Sequence, residues 1–186
     1  MSVRAPAALQ TRDAQRLRRH IRDIPDFPTK GILFRDITPL LQEGKAFQRA
    51  IKSLAALYRS ALKRPDAIVA IESRGLIVGS ALAYALGIGI VPVRKAGKLP
   101  HKTYRAPYAL EYGKSTLEIH RDALKRGDRV VIVDDLLATG GTLGATIRLV
   151  KRCGARVLDI ACLIELTDLK GRHKLSPHPV SALIQY

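Results

Sequence analysis

Two adjacent aspartates, Asp134 and Asp135, precede a turn rich in glycine and threonine at residues 138–142. Glycines let the backbone curl so that several N–H groups point at one anion near a helix N-terminus, and threonine hydroxyls add donors. The aspartates would repel a phosphate, so they suit sugar hydroxyls or a hydrated Mg²⁺. A phosphate site beside a diol site predicts a ribose 5-phosphate ligand. The alternative, an ordinary strand–turn–helix with solvated aspartates, is disfavoured by two like charges beside an apolar strand.

The segment that positions these residues has the order strand, acidic pair, turn, helix. The β-branched run Val130–Val133 predicts a strand buried on both faces. Leu143, Ile147 and Val150 share one helical face, and Gly154 ends that helix. The segment lacks both the GK[ST] of a P-loop and the G-x-G-x-x-G of a dinucleotide-binding fold, which argues against both sites.

Residues 128–144 closely resemble the phosphoribosyl pyrophosphate (PRPP) signature of the type I phosphoribosyltransferases. The resemblance implies an α/β fold with an open, mostly parallel twisted sheet and helices on both faces. It also implies that Asp134 and Asp135 hold the ribose hydroxyls. The residues implied to anchor the 5-phosphate are Ala138, Thr139, Gly140, Gly141 and Thr142.

Hydrophobic patterning predicts the other elements along the chain. Helices are predicted over residues 9–22 and 44–63. Strands are predicted over residues 66–71, 88–93, 156–164 and 180–184. At 186 residues the chain is expected to form a single domain, 1–186, with a sizeable core.

Composition narrows the class of protein. No apolar run has the length of a membrane span, and the first residues lack the apolar region of a signal peptide. The two cysteines, Cys153 and Cys162, have no metal-like spacing and are expected to be reduced core residues. These features predict a cytoplasmic protein without a membrane partner.

The formal net charge of +16 is unusual. It suggests polyanionic partners such as nucleic acid, but a positive field would also serve substrates that carry several phosphates. The arginine-rich N-terminal helix could be a solvated face or an RNA-contacting patch. The second interpretation is weaker because no aromatic residues are interleaved for base stacking. Nucleic acid is therefore not expected as a partner.

Residues 24–41 predict a loop or short strand, because prolines and Gly31 interrupt regular structure. Their apolar side chains could cover a core or close over a flat aromatic ligand. The segment resembles the base-binding hood of the adenine phosphoribosyltransferases. In that family the backbone at positions matching Leu33 and Arg35 pairs with adenine, and the ring matching Phe34 stacks on it. The C-terminal segment completes the hood, with the residue matching Leu166 near the base.

Arg74 follows a predicted strand, in the turn Glu72–Gly75. Ligands are expected at the carboxyl ends of strands in an open α/β sheet, and an arginine there suits a pyrophosphate. The alternative is a surface arginine. The resemblance assigns Arg74 to pyrophosphate and implies a non-prolyl cis peptide within residues 72–74.

Residues 94–116 predict a long basic loop, with five Lys or Arg and no acid from Arg94 to Arg105. A flexible excursion is one interpretation, and a mobile flap over a polyanion, with arms at 108–110 and 116–119, is the favoured one. RKAGKLP and YALEYG match the adenine family, whereas HKTYRAP departs from its pattern. The match implies pyrophosphate contacts from Arg94, Lys95 and Lys98, some across a dimer interface. It implies catalysis by Glu111 and Tyr112.

The resulting hypothesis is a purine-salvage transferase that joins adenine to PRPP, giving AMP and pyrophosphate. The resemblance implies Mg²⁺ as cofactor, held mainly by PRPP and water with no direct protein ligand, and a homodimer. Glu111 would handle the proton lost from adenine, which requires its pKa to be raised by burial. Two alternatives remain: a phosphoribosyltransferase for another purine, and a PRPP-sensing regulator that binds nucleic acid.

Overall fold

The computed structural model describes residues 12–110 and 113–186. The strands are β1 Arg22–Ile24, β2 Phe34–Asp36, β3 Ala67–Ile71, β4 Gly89–Lys95, β5 Thr103–Leu110, β6 Gly113–His120, β7 Arg129–Leu137, β8 Arg156–Glu165 and β9 Val180–Gln185. Within the described residues, seven strands form the central sheet in the order β5-β6-β4-β3-β7-β8-β9, and β1 and β2 form a separate hairpin. The helices are α1 Arg12–Arg18, α2 Thr38–Gln42, α3 Gly44–Ala56, α4 Arg74–Leu86, α5 Gly141–Arg152 and α6 Gly171–Leu175, with a 3₁₀ turn at Thr167–Leu169.

Five strands, β4, β3, β7, β8 and β9, pair in parallel, and β6 and β5 extend the sheet in antiparallel fashion. Residues Val130 to Val133 at the centre of β7 are fully buried. A parallel strand is covered on both faces, which is why its sequence is a continuous β-branched run and not an alternating one. The predicted mostly parallel α/β sheet is confirmed.

Helices cover both faces of the sheet, as predicted. Helices α1 to α4 pack on one face, where Leu54 and Leu82 meet Ile68 and Val131. Helices α5 and α6 and the β5–β6 hairpin cover the other face, which includes Ile132. None of the helices among the described residues combines the length and apolar character needed to cross a membrane.

Two predicted helices are shorter in the structure. The helix predicted over 44–63 ends at Ala56, because the chain turns there to bury Tyr58, whose hydroxyl donates to Asp159 Oδ2 at 2.8 Å. The helix predicted over 9–22 ends at Arg18, and residues 1–11 lie outside the described part of the chain. Arg22 instead belongs to β1, where it pairs with Asp36 of β2 at 2.6 Å.

The region predicted as a long loop, 94–116, is mainly a β-hairpin. Strands β5 and β6 pair along Thr103 to Leu110, so both arms extend well beyond the predicted 108–110 and 116–119. The hairpin joins the main sheet through pairing of Arg94 and Lys95 with β6. Among the described residues of this region, the remaining loop spans residues 96–102.

Candidate active site

The carboxyl ends of β3, β4 and β7 surround a cleft of about 380 Å³. The lining residues are Glu72, Ser73, Arg74, Lys95, Tyr108, Asp134, Asp135, Leu136, Ala138 and Thr142. The structure thus brings together residues predicted separately for ribose, phosphate and pyrophosphate. Tyr108 was not predicted as a site residue. It reaches the cleft through its place on β5, beside residues that lie about 30 positions away in the sequence.

The two aspartates lie within β7, three and two residues before its last residue, Leu137. Asp134 Oδ1 accepts a hydrogen bond from the Asp135 backbone N–H at 3.0 Å. Asp135 is only 5% exposed, and its Oδ2 lies 2.9 Å from Arg74 Nε but accepts no hydrogen bond. A buried carboxylate oxygen without a donor is suited to a hydroxyl or a hydrated cation.

Burial raises the pKa of both aspartates. The negative charge of Asp135 raises the pKa of Asp134 further. For Asp135 the positive charge of Arg74 opposes the effect of burial without cancelling it. The pair is therefore held in surroundings that disfavour two negative charges, and donors or positive charge from a ligand would relieve that cost.

Gly75 allows α4 to start directly against the aspartates. A Cβ at this position would lie 2.8 Å from Asp134 Oδ1 and 3.0 Å from Val133 O. The Glu72–Ser73 peptide bond just before α4 is cis, as expected for this turn. Arg74 is the first residue of α4, and its side chain lines the cleft.

The turn predicted to hold a 5-phosphate leads into α5, which begins at Gly141. Gly140 has φ +80, a left-handed conformation that favours glycine, and a Cβ on it would lie 2.8 Å from Gly171 O. Of the five predicted residues, Ala138 and Thr142 line the cleft. Thr139 and Gly141 are partly buried in the same turn.

Helix α6 supports this turn from behind, a role that sequence reasoning missed. A Cβ on Gly171 would lie 2.1 Å from Ala138 O, so only glycine permits the contact. The neighbouring Arg172 donates to both carboxylate oxygens of buried Glu165, at 2.9 and 2.5 Å, and to Val180 O at 2.6 Å. The only signal in the sequence was an isolated Gly-Arg pair in a basic tail.

The predicted pyrophosphate residues are not all at the cleft. Arg74 and Lys95 line it, whereas Arg94 and Lys98 are absent from its described lining. Arg94 instead donates to both oxygens of Glu72, at 3.2 and 3.3 Å, and to Lys98 O at 3.4 Å. Burial on its own raises the pKa of Glu72, but the hydrogen bonds from Arg94 and the Lys95 N–H outweigh it and lower that pKa.

The hood approaches the cleft through the β1–β2 hairpin. The rings of Phe27 and Phe34 pack edge to face with centroids 5.1 Å apart, and Arg74 Cζ lies 5.0 Å from the Phe34 ring centre. Leu33 is exposed. Arg35 pairs with Asp23 and stacks on the ring of Tyr186 at 3.8 Å, which connects the hairpin to the C-terminal segment.

Three predicted site residues remain: Leu166, Glu111 and Tyr112. Leu166 follows β8, is partly buried, and donates its N–H to Leu137 O at 2.9 Å, but it is absent from the described cleft lining. Glu111 and Tyr112, predicted to be catalytic, lie outside the described residues.

The residues present fit a magnesium ion held through water. Within residues 12–110 and 113–186 no group of three or more His, Cys, Asp or Glu side chains is arranged to hold a metal. Asp134 and Asp135 nevertheless supply adjacent carboxylates, one with a buried oxygen that lacks a donor. Mg²⁺ commonly keeps several waters and binds through one or two carboxylates and substrate phosphates.

Comparison with known proteins agrees with this geometry. A family model for the phosphoribosyl transferase domain matches residues 38–181. The adenine phosphoribosyltransferase of Carboxydothermus hydrogenoformans is 56% identical over 170 residues, covering 91% of this chain and 99% of that protein. The crystal structure of adenine phosphoribosyltransferase from Thermoanaerobacter pseudethanolicus has a TM-score of 0.89 and 51% identity, covering 93% of this chain and 99% of that one.

A further similar structure is that of adenine phosphoribosyltransferase from Saccharomyces cerevisiae in complex with D-2,5-dideoxy-2,5-imino-altritol 1,6-bisphosphate and adenine. It has a TM-score of 0.88 and 43% identity, and covers 92% of this chain and 98% of its own. The fold, the acidic pair and the glycine-rich turn define a phosphoribosyltransferase, and the chain belongs to that family. Within it, the chain belongs with the adenine phosphoribosyltransferases.

Proposed function

We propose that the chain transfers the 5-phosphoribosyl group of PRPP to adenine, giving AMP and pyrophosphate. The observation that carries this function is one cleft that combines the acidic pair, Arg74 and the phosphate-type turn, with the Phe34 ring 5.0 Å from Arg74. The reaction displaces pyrophosphate at the anomeric carbon. Positive charge grows on the ribose ring while negative charge collects on the leaving group.

Asp134 and Asp135 bind the ribose hydroxyls and face the growing positive charge. In the free protein, burial raises the pKa of both carboxyl groups, and repulsion from the charge of Asp135 raises the pKa of Asp134 further. Hydroxyl donors and a positively charged transition state relieve this repulsion. The interaction is therefore stronger in the transition state than in the ground state, which is the condition for faster turnover.

Arg74 and Lys95 bind the departing pyrophosphate, and bound Mg²⁺ supplies further positive charge to the leaving group. Arg94 and Lys98 are a second pair of basic residues that bind the pyrophosphate. Arg94 is held by Glu72 through two hydrogen bonds, so its participation requires an exchange of the carboxylate for a pyrophosphate oxygen. The cost of that exchange is moderated because both partners are charged acceptors for the same guanidinium.

Residues 138–142 bind the 5-phosphate at the start of α5. Backbone N–H groups at a helix N-terminus are suited to an anion, and the threonine hydroxyls add donors. This phosphate takes no part in bond breaking. Its binding energy orients the reacting carbon between the leaving group and the base.

Adenine lies beside Phe34, and the backbone of Leu33 and Arg35 recognises its amino group and ring nitrogen. Leu166 contributes an apolar contact. Guanine and hypoxanthine carry an oxygen at position 6, which would face a backbone carbonyl and leave it unpaired, at a cost of about 1–3 kcal/mol. Glu111 accepts the proton that the base loses, and Tyr112, the next residue in the sequence, assists.

The active form is a homodimer in the cytoplasm. Ile77 and Tyr84 are exposed on one face of α4, seven residues apart, and Ile90 is exposed on the strand that follows. Exposed apolar side chains on one helix face are typical of a surface that a partner covers. The free thiols of Cys153 and Cys162 support a reducing compartment.

The deciding experiment is PRPP-dependent conversion of each purine base, followed by nucleotide product. Efficient turnover of adenine alone is expected. Comparable turnover of hypoxanthine would instead support a phosphoribosyltransferase for another purine. No turnover, together with nucleic-acid affinity that falls steeply with salt, would support a PRPP-sensing regulator.

A further inference from the structure

Glu118 is a fully buried carboxylate on β6 that none of the roles above uses. Its Oε1 accepts hydrogen bonds from three consecutive backbone N–H groups, those of Gly97, Lys98 and Leu99, at 2.9, 3.0 and 3.0 Å. Consecutive N–H groups that converge in this way form an anion-binding nest. Here the anion is supplied by the chain itself.

The second carboxylate oxygen of Glu118, Oε2, contacts two residues of β5, the outer strand of the hairpin. Thr103 Oγ1 and Arg105 Nε each lie 3.3 Å from Oε2. Five donors therefore meet one carboxylate. Burial alone would raise the pKa of Glu118, but the N–H groups of Leu99, Lys98 and Gly97 outweigh it and lower that pKa. The side chain is ionised at neutral pH.

The loop that Glu118 fixes contains Lys98 and directly follows Arg94 and Lys95, the other two basic residues proposed for pyrophosphate on this segment. Lys95, which lines the cleft, pairs with β6 one position away from the Arg94–Glu118 pair. The Lys98 N–H is one of the three donors to Oε1, and Lys98 O accepts from Arg94. A shift in the loop would therefore displace the basic groups on both sides of it.

We infer that Glu118 is a positioning residue for pyrophosphate: it holds residues 97–99 in a nest, and thereby sets the place of Lys95 in the cleft lining and the places of Lys98 and of Arg94, which donates to Lys98 O. Glu118 does not touch the substrate. Its effect is expected on the binding of the pyrophosphate group and not on recognition of the base. The inference rests on the proposed function only in naming pyrophosphate as the group that is bound.

The main test is Glu118→Gln, which keeps the size of the side chain and removes its charge. One oxygen can still face the three N–H groups, but the amide NH₂ then opposes Thr103 and Arg105, which also donate. We expect the KM for PRPP and the Kd for pyrophosphate to rise about tenfold, the change that corresponds to about 1.4 kcal/mol. The KM for adenine should stay within twofold.

Hydrogen exchange on the ligand-free protein tests the cause separately from activity. The amides of residues 97–99 should exchange at least tenfold faster in Glu118→Gln than in the native protein. Asp122→Asn is the matched control, because Asp122 is an exposed carboxylate shortly after β6, with its Oδ2 4.0 Å from His101 Nε2. This control should leave both the exchange rates and the pyrophosphate Kd unchanged.

Thr103→Val is a second variant in case Glu118→Gln does not fold. It removes one donor to Oε2 without a change in size, and should raise the pyrophosphate Kd in the same direction by a smaller factor. Unchanged exchange at 97–99, or equal rises in KM for PRPP and adenine, would overturn the inference. Failure of the native protein to convert adenine would refute the proposed function, whereas pyrophosphate titration and exchange would still decide the role of Glu118.

Discussion

Asp134 illustrates how a single residue can be unfavourable for the free protein and useful for its reaction. Its pKa is raised by burial and by the charge of Asp135, so the folded state binds a proton there more tightly than the unfolded state does. A raised folded pKa contributes stability that is present below the unfolded pKa and lost as pH rises through the folded value. At neutral pH the ionised residue therefore costs stability.

Asp134→Asn should raise the melting temperature of the free protein at pH 7–8, because the amide cannot ionise. A rise of about 2–4 °C is expected, the shift that 1 kcal/mol produces in a domain of this size. This rise in melting temperature should disappear as pH falls toward 4, because Asp134 of the native protein is then protonated as well. The same variant should weaken PRPP binding and lower kcat. Calorimetry across pH with PRPP titration measures both effects, and a destabilised variant at pH 8 would contradict the expected sign.

Glu111→Gln should lower kcat by about 10²–10⁴-fold while the Kd for PRPP changes little, because a proton acceptor acts only in the transition state. Steady-state kinetics with separate PRPP titration distinguish the two. Asp135→Asn is the comparison variant, since loss of a ribose contact should harm both binding and turnover. Near-normal turnover of Glu111→Gln would remove its proposed role and strengthen the regulator alternative.

At the scale of elements, local patterns predicted those segments whose partners are near in sequence or whose burial is complete. The run Val130–Val133 indicated a buried strand, and that strand is central in the sheet. The end of α3 could not be predicted, because Tyr58 turns inward to meet Asp159, 101 residues away. The hairpin at 103–120 was predicted only in its arms at 108–110 and 116–119, because the loop that precedes it is organised by Glu118, 20 residues from Lys98 in the sequence.

Helix α5 connects two parts of the site. It begins at the phosphate-type turn, and further along it Arg148 donates to Pro107 O at 2.6 Å and Arg152 to Arg105 O at 3.1 Å. Arg152 also stacks on Tyr104 at 4.6 Å. The acceptor carbonyls belong to HKTYRAP, the segment whose sequence departs from the family pattern. Two arginines thus fasten β5 to the helix that begins at the proposed 5-phosphate turn.

The double variant Arg148→Ala and Arg152→Ala should loosen this attachment. Amides of residues 103–108 should exchange faster, and the KM for PRPP should rise by about threefold to tenfold, because the β5–β6 hairpin, whose Tyr108 lines the cleft, is less firmly placed. Lys151→Ala is the matched control, since Lys151 is an exposed cation on the same helix. Equal effects from Lys151→Ala would show that charge on α5, and not the contacts with β5, is responsible.

For the whole molecule, the charge of +16 and the apolar face of α4 have opposite consequences for association. Two copies that each carry a large positive charge repel one another, whereas burial of Ile77, Tyr84 and Ile90 would favour contact. The repulsion between copies is screened by salt, and burial of apolar surface is not. A dimer formed through this face should therefore become more stable as salt increases.

Tyr84→Glu tests this surface, because it places a charge where Tyr84 is 90% exposed in the single chain. We expect sedimentation to show a shift from dimer to monomer, with lower turnover if basic residues act across the interface. Leu62→Glu is the matched control, since Leu62 is a similarly exposed apolar residue, at 87%, outside α4. The native dimer should tighten between about 50 and 300 mM salt. If it weakens instead, complementary charges and not the apolar face hold the two copies together.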